Sequence, residues 1–272
     1  MDKVVLITGA SSGIGKACAE YLAKNKYIVI GTSRKSIIPS QKIDNFELIK
    51  MDVNNDESVK TAIDYIIKKY NTIDILVNNA GWGISGALED TSVEKAKELF
   101  EINFFGIHRM IKQTLPYMRK KKKGMIINIS SVGGAVGLPY QGFYSSTKFA
   151  LEGYSEALRL ELKPFGIKVV LIEPGDIKTS FTSRREKISS NLETSVYKNY
   201  ARKTIKIVEK DEQQGGIMPD IVGYKLLKII NKKNPKVRYK VGSFSQKLLL
   251  SLKRILPDKS IQWILRKYYK TE

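Results

Sequence analysis

The run Val4-Val5-Leu6-Ile7-Thr8-Gly9-Ala10-Ser11-Ser12-Gly13-Ile14-Gly15 decides how this chain is read. Its first residues are apolar and mostly β-branched, which predicts a strand at Val4–Thr8 buried on both faces. Glycines then fall at positions 9, 13 and 15, and a helical pattern runs on to about Lys24. Glycine at such places permits a tight turn and lets the backbone come close to a pyrophosphate. The helix start adds free N–H groups and the positive end of its dipole. A glycine-rich turn alone does no more than join two elements, but between a buried strand and a helix it points to a nucleotide.

The same alternation continues outward. Strands are expected at Tyr27–Thr32, Phe46–Met51, Ile73–Val77, Met125–Ile129, Lys168–Ile172 and Val237–Val241. Helices are expected at Asp56–Tyr70, at Val93–Arg119 with an early interruption, at Phe143–Leu162 and at Pro219–Asn231. Apolar strands alternating with helices predict an α/β protein with a doubly wound parallel sheet and right-handed crossovers. Residues 179–216 are polar and charged and end in Gln213-Gln214-Gly215-Gly216. They read as a mobile lid or poorly ordered loop over a substrate.

Composition removes several function classes. Hydrophobic residues make up 42% of the 272, too many for a disordered chain. The single cysteine, Cys18, excludes an internal disulfide framework and a four-cysteine zinc site, and is expected to be buried and inert. The single histidine, His108, argues against histidine-based metal catalysis and reads as a packed or surface residue. No apolar run reaches the ~18–20 residues of a membrane span, and the start of the chain lacks a signal-peptide core. The reducing cytosol is the expected compartment. The net charge is +20, and residues 217–272 carry more than half of it. The run Arg119-Lys120-Lys121-Lys122-Lys123 reads as a solvated helix end favoured by the helix dipole. With no zinc finger, helix-turn-helix or aromatic RNA-binding signature, nucleic acid is not the expected partner.

Two further clusters carry chemistry. After the second strand comes Gly31-Thr32-Ser33-Arg34-Lys35, without the carboxylate that would bind an NAD ribose. Arg34, with Ser33 and Lys35 nearby, suits a 2′-phosphate and so favours NADP(H); the plainer alternative is a solvated basic turn. Tyr144 and Lys148 stand four apart on an expected helix and share a face. An ammonium beside a phenol is expected to lower its pKa and make it a usable acid or base.

With these residues in place, the chain resembles the short-chain dehydrogenase/reductase family over roughly residues 3–180. Thr8-Gly9-Ala10-Ser11-Ser12-Gly13-Ile14-Gly15 matches the cofactor glycine motif, and Asn78-Asn79-Ala80-Gly81 the motif after strand four. Ile129-Ser130-Ser131 ends strand five, with Ser131 thirteen residues before Tyr144. Pro174-Gly175-Asp176-Ile177-Lys178-Thr179 matches the segment that closes over the nicotinamide. The resemblance implies one Rossmann-type domain over 1–272 and a catalytic set of Asn103, Ser131, Tyr144 and Lys148. Tyr144 would exchange a proton with the carbonyl oxygen and Ser131 would orient that oxygen. Lys148 would hold the nicotinamide ribose, and Asn103 would keep a relay water. Gly9, Ser11, Ser12, Gly13, Ile14 and Gly15 would line the phosphates, and Ser33 and Arg34 the adenosine ribose. Asp52 and Val53 would meet the adenine. Asn79, Ala80, Gly81, Pro174, Gly175, Ile177 and Thr179 would complete the cofactor site together with Tyr144 and Lys148. Between neighbours, strand alternation separates Ser130 from Ser131, and the spacing to Tyr144 selects Ser131.

The stretch Ser131–Pro139, Lys148–Gly153 and the Thr32-x-Arg34 signature resemble the hydroxysteroid and retinol dehydrogenase branch. The implied substrate is a lipophilic ketone or secondary alcohol, and the implied assembly a homodimer or homotetramer. The alternatives are a reductase of small carbonyls and a non-catalytic dinucleotide-binding protein; such a sensor usually lacks the tyrosine or lysine, and both are present. Trp82 reads equally as a substrate-pocket wall or as core. In the extension 243–272, Phe244, Leu248, Leu252, Ile255 and Leu256 form one apolar stripe, and Ile261, Ile264, Leu265 and Tyr268 a second beside Trp263. Lys247, Lys253, Arg254, Lys259, Arg266, Lys267 and Lys270 supply a basic side. Such stripes suit either peripheral contact with an anionic membrane or packing on the protein itself.

Overall fold

The computed structural model describes residues 3–35, 41–43, 46–189, 193–253 and 255–271. In chain order the strands are β1 (Val4–Ile7), β2 (Ile28–Ser33), β3 (Gln41–Ile43), β4 (Phe46–Lys50), β5 (Ile75–Asn78), β6 (Ile84–Ser85), β7 (Gly124–Ile129), β8 (Ile167–Pro174), β9 (Glu186–Lys187) and β10 (Arg238–Val241). The helices are α1 (Gly13–Lys24), α2 (Asp56–Tyr70), α3 (Val93–Phe100), α4 (Gly106–Lys120), α5 (Gly142–Leu162), α6 (Phe181–Arg184), α7 (Lys198–Lys210), α8 (Asp220–Ile230), α9 (Phe244–Leu252) and α10 (Asp258–Tyr269).

The main sheet runs β10-β8-β7-β5-β1-β2-β4-β3. All seven strands expected from the sequence are in it and parallel; β3 adds an antiparallel edge. Period-two alternation divides their side chains between two cores. Val4, Leu6, Leu76, Ile126 and Val169 face α2, α4 and α5. Val5, Ile7, Val77, Ile127 and Val170 face α1 and α8, where Cys18 is buried. The sheet is thus doubly wound. Its order reverses between β1 and β5, which opens a crevice at the carboxyl ends of those strands.

The early interruption expected in the helix Val93–Arg119 is a π-helical turn, Glu101–Phe105, between α3 and α4, a wider turn often found at functional sites. Two differences from the sequence reading have physical causes. The span 179–216, of which residues 190–192 lie outside the described residues, is not a bare loop where it is described. It forms α6, pairs β9 with β6, and makes α7, which buries Ala201, Thr204, Ile205 and Val208. That stripe is narrow and set among lysines, so the composition hides it. β3 is too short to leave a pattern.

The C-terminal stripes divide between two surroundings. Ser243 and Gln246 form a reciprocal capping box at the start of α9. Leu250 and Ile261 join Val132 and Val136 in a third core, with Leu249, Leu252, Leu256 and Leu265 around it. The protein's own domain therefore takes the inner faces of both helices. Phe244, Leu248, Ile255, Trp263 and Tyr268 stay exposed; Arg254 lies outside the described residues. Among the described residues no helix is long and apolar enough to cross a membrane.

Leu250→Ala empties part of this third core and is expected to cost roughly 2–5 kcal/mol. Phe244→Ala, on the outer face of the same helix, should stay within about 0.5 kcal/mol of the parent. Urea denaturation of the two variants checks the contrast.

Candidate active site

The glycine turn closes on the neighbouring strand. Gly9 has φ +67°, in the left-handed region. Thr8 Oγ1 accepts from the backbone N–H groups of Asn79 (3.0 Å) and Ala80 (2.9 Å). Asn79 Nδ2 donates to the carbonyls of Thr8 (2.9 Å) and Gly9 (3.2 Å). A β-carbon at Gly15 would lie 2.4 Å from the Gly9 carbonyl oxygen, so only glycine fits. Ser12 stands before the first turn of α1, with extended backbone. Ser11 is exposed, and Gly13 and Ile14 are part-buried. Asn79, read from the sequence as a cofactor ligand, spends its amide group on holding this turn.

Around that turn lie the other expected cofactor residues. Ser33 ends β2 and is buried, and Arg34 follows it into solvent. Asp52 Oδ1 accepts from Asn54 N (3.0 Å), and Asp52 N donates to Ser58 Oγ (2.9 Å). Val53 is buried against Gly106. Pro174 ends β8, and Gly175 N donates to the Val241 carbonyl (2.8 Å). Asp176 and Lys178 bond Ile217 on either side of Ile177. The Thr179 side chain packs beside Gly13, where an added β-carbon would lie 3.4 Å from it. These residues and the helix start fit a dinucleotide: a narrow glycine cradle, free N–H groups and a basic residue beyond β2.

Ser131, Tyr144 and Lys148 converge beside this cradle. The Ser131 hydroxyl donates toward the Tyr144 phenol oxygen, and Ser131 Oγ accepts from Gly133 N (3.1 Å). Ser130 points away, toward Gly134 and Glu152. Lys148 is buried, donates to the Ile129 carbonyl (2.9 Å) and sits 5.8 Å from the centre of the Tyr144 ring. Burial pushes its ammonium down to about 8, against a smaller upward pull from Glu152. Burial also pushes the Tyr144 phenol up, the reverse of the lowering expected from the ammonium; Ser131 and Arg185 pull it back in part. Asn103, on the π-helical turn, is fully buried. Its Oδ1 accepts from Trp82 N (3.1 Å), and its Nδ2 donates to Trp82 O (3.0 Å) and Thr147 Oγ1 (3.3 Å). It clamps the backbone of Trp82, whose ring has the Lys95 ammonium 5.7 Å away.

The sequence reading singled out no charged residue of the lid, yet several face the site. Arg184 donates to Ser12 Oγ across the cradle (3.0 Å). Phe181 stacks 5.8 Å from Tyr144, centre to centre. Arg185 pairs with Glu212, which also accepts from Thr182 Oγ1 (2.6 Å). Asp176 accepts from Gln246, and burial together with Glu212 and Asp211 raises its carboxyl to about 6. His108 and Cys18 take no part. His108 meets the Tyr154 hydroxyl at 3.0 Å, and burial pushes the Cys18 thiol up to about 12.

Comparison with known proteins agrees with this geometry. The family model for short chain dehydrogenases matches residues 3–189. A 3-ketodihydrosphingosine reductase of Bacteroides thetaiotaomicron is 47% identical over 267 residues, 98% of each chain. A short-chain dehydrogenase from Streptomyces avermitilis superposes with TM-score 0.80 at 30% identity, covering 100% of this chain and 97% of its own. A structure of ElxO with NADP bound has TM-score 0.70 and 29% identity, covering 89% and 96%.

The buried ammonium of Lys148 has a consequence for stability. Its pKa in the folded protein, about 8, lies below the ordinary 10.5, so the fold disfavours the charged form. The cost is present in full below pH 8 and fades as pH rises toward 10.5, where the unfolded chain also loses the proton. Lys148→Met is therefore expected to stabilise the fold more near neutral pH than above pH 10.5, by roughly 3 kcal/mol. Denaturant titrations at the two pH values check the sign.

Proposed function

This chain belongs to the short-chain dehydrogenase family, and we propose that it uses NADPH to reduce a long-chain ketone of the 3-ketodihydrosphingosine kind to a secondary alcohol. The observation that carries the reading is the Tyr144 hydroxyl bonded to Ser131 with the Lys148 ammonium behind the ring. End-to-end identity with the Bacteroides reductase supports the substrate class. The apolar walls fit it, since the Phe181 ring lies 5.8 Å from that of Tyr144 and Leu138 lies beside Gly133.

Burial keeps Tyr144 protonated at neutral pH, which suits an acid and so favours reduction. Ser131 holds the carbonyl oxygen while Tyr144 gives up its hydroxyl proton to it. Lys148 holds the nicotinamide ribose and stabilises the phenolate that remains. Gly9, Gly13, Gly15 and the start of α1 take the diphosphate, with Thr179 closing on it. Arg34 takes the 2′-phosphate, and Asp52 the adenine amino group. When bound, the cofactor supplies the hydride. Asn103 fixes the Trp82 wall from both ends of its peptide.

NADPH oxidation with steroid, retinoid, long-chain keto-lipid and small carbonyl panels tests the reading. The keto-lipids should turn over best; a clear preference for small carbonyls overturns it. Tyr144→Phe keeps the ring and removes the proton, so turnover should drop ~10²–10⁴-fold while NADPH still binds. Arg34→Ala should raise the Michaelis constant for NADPH roughly 10–150-fold and leave that for NADH nearly unchanged, because only NADPH carries the 2′-phosphate. Steady-state kinetics with both cofactors measure the difference.

A further inference from the structure

We propose that Arg185 is the group that recognises the substrate beside its ketone, donating to a neutral acceptor oxygen, a hydroxyl or a carbonyl, carried a few bonds from the reacting carbon. This rests on the ketone-reductase reading and narrows it.

The side chain of Arg185 is 1% exposed. One guanidinium nitrogen is held by Glu212, but Nε and Nη1 find no acceptor among the described residues. Buried donors are nearly always paired in folded proteins, and an arginine has no neutral form to retreat to. Two unpaired nitrogens on so deeply buried a group therefore point to an acceptor that arrives from outside the chain. The guanidinium stacks 5.6 Å from the centre of the Phe181 ring, and Phe181 in turn stacks on Tyr144. The arginine charge is felt by the Tyr144 phenol. On its other side Nε faces Gly83, where a β-carbon would come within 3.8 Å. The preceding residue, Trp82, likewise keeps its indole N–H buried and without an acceptor. The orphaned groups of this wall are all donors, so the complementary ligand brings acceptors.

Charge decides which acceptor. Arg185 and Glu212 form a neutral pair. Asp176 is raised first by burial and further by the nearby charges of Glu212 and Asp211, so the acids stand close together here. A carboxylate on the substrate would approach three acids and gain only one cation already paired. A hydroxyl or carbonyl meets no such repulsion, and a neighbouring ammonium is tolerated.

The test uses the full chain with NADPH and three ketones of one chain length: an alkan-3-one, the 1-hydroxyalkan-3-one and the 3-oxo acid. The parent enzyme should favour the hydroxy ketone over the plain ketone by at least about 10-fold in kcat/KM, the lower end for a hydrogen bond to a charged group. The 3-oxo acid should be the poorest of the three. Arg185→Gln alone leaves the part-buried Glu212 carboxylate without its cation, so the decisive variant is Arg185→Gln with Glu212→Gln. NADPH fluorescence titration confirms that this variant is folded. Its hydroxy-to-plain ratio should collapse to near one, whatever its absolute rates; a residue that only pins the lid would lower both rates and keep the ratio. The inference is overturned if the parent shows no preference, or if the double variant binds NADPH normally with the ratio intact. If the parent reduces neither ketone, the ketone-reductase reading itself fails.

Discussion

A chain of buried hydrogen bonds holds α5, the helix of Tyr144 and Lys148, over the sheet. Asn78 at the end of β5 donates to Asn128 in β7 (2.8 Å), Asn128 donates to Ser155 in α5 (2.8 Å), and Ser155 donates to the Leu151 carbonyl (2.7 Å). Asn78, Asn128 and Ser155 are nearly inaccessible to solvent. In such surroundings a polar group without its partner is costly, so the chain permits one register of α5 on β7. That register brings Tyr144 and Lys148, three and two turns earlier on the same helix, to the end of β7 where Ser131 begins. The Thr8–Asn79 bonds do the corresponding work at the reversal of strand order, binding the glycine turn to β5. Both devices use asparagines of one dipeptide, Asn78-Asn79, and alternation along the strand sends one toward α5 and the other toward the turn.

What the site needs runs against what the fold prefers. Lys148 sits where its charge is costly, with a backbone carbonyl as its hydrogen-bond partner. Tyr144 is held neutral by the same burial. An ammonium weakened by burial and a phenol kept protonated are the two halves of a proton donor backed by a stabilising charge. The network beneath them makes the strained placement tolerable, because the helix has no cheaper position.

The fold and the Tyr144–Lys148 pair were legible because their signals are local. A strand needs a few apolar residues in a row, a phosphate turn needs glycines at set spacings, and an i, i+4 pair needs one helix. Seven parallel strands and the shared face of Tyr144 and Lys148 followed from such signals, while Ser131 came from the family resemblance. The direction of the Tyr144 shift did not, because the sequence shows the nearby ammonium but not the burial that raises the phenol. Nor did the lid. Arg185 and Glu212 lie 27 residues apart in a polar stretch, and nothing in either neighbourhood marks them as partners. α7 escaped for a related reason: its buried stripe is four residues wide and surrounded by lysines.

The parts hardest to read are the ones that shape the substrate's space. α9 and α10 pack on Val132 and Val136, immediately after Ser131. Gln246 of α9 bonds both the backbone and the carboxyl of Asp176, and Tyr268 of α10 donates to Asp211 (2.7 Å). The extension therefore anchors Asp176 and Asp211, and Asp211 directly precedes Glu212, the partner of Arg185. The contacts that lead from residue 268 to Tyr144 turn on three long-range pairs, Tyr268–Asp211, Glu212–Arg185 and Phe181–Tyr144, each weak as a sequence signal and each dependent on the others for its geometry. Tyr144 and Lys148 stand on one helix and Ser131 just beyond β7, where spacing in the sequence fixes position in space. The outer layer has no such rule, and two proteins with the same Ser131, Tyr144 and Lys148 arrangement are free to differ there completely.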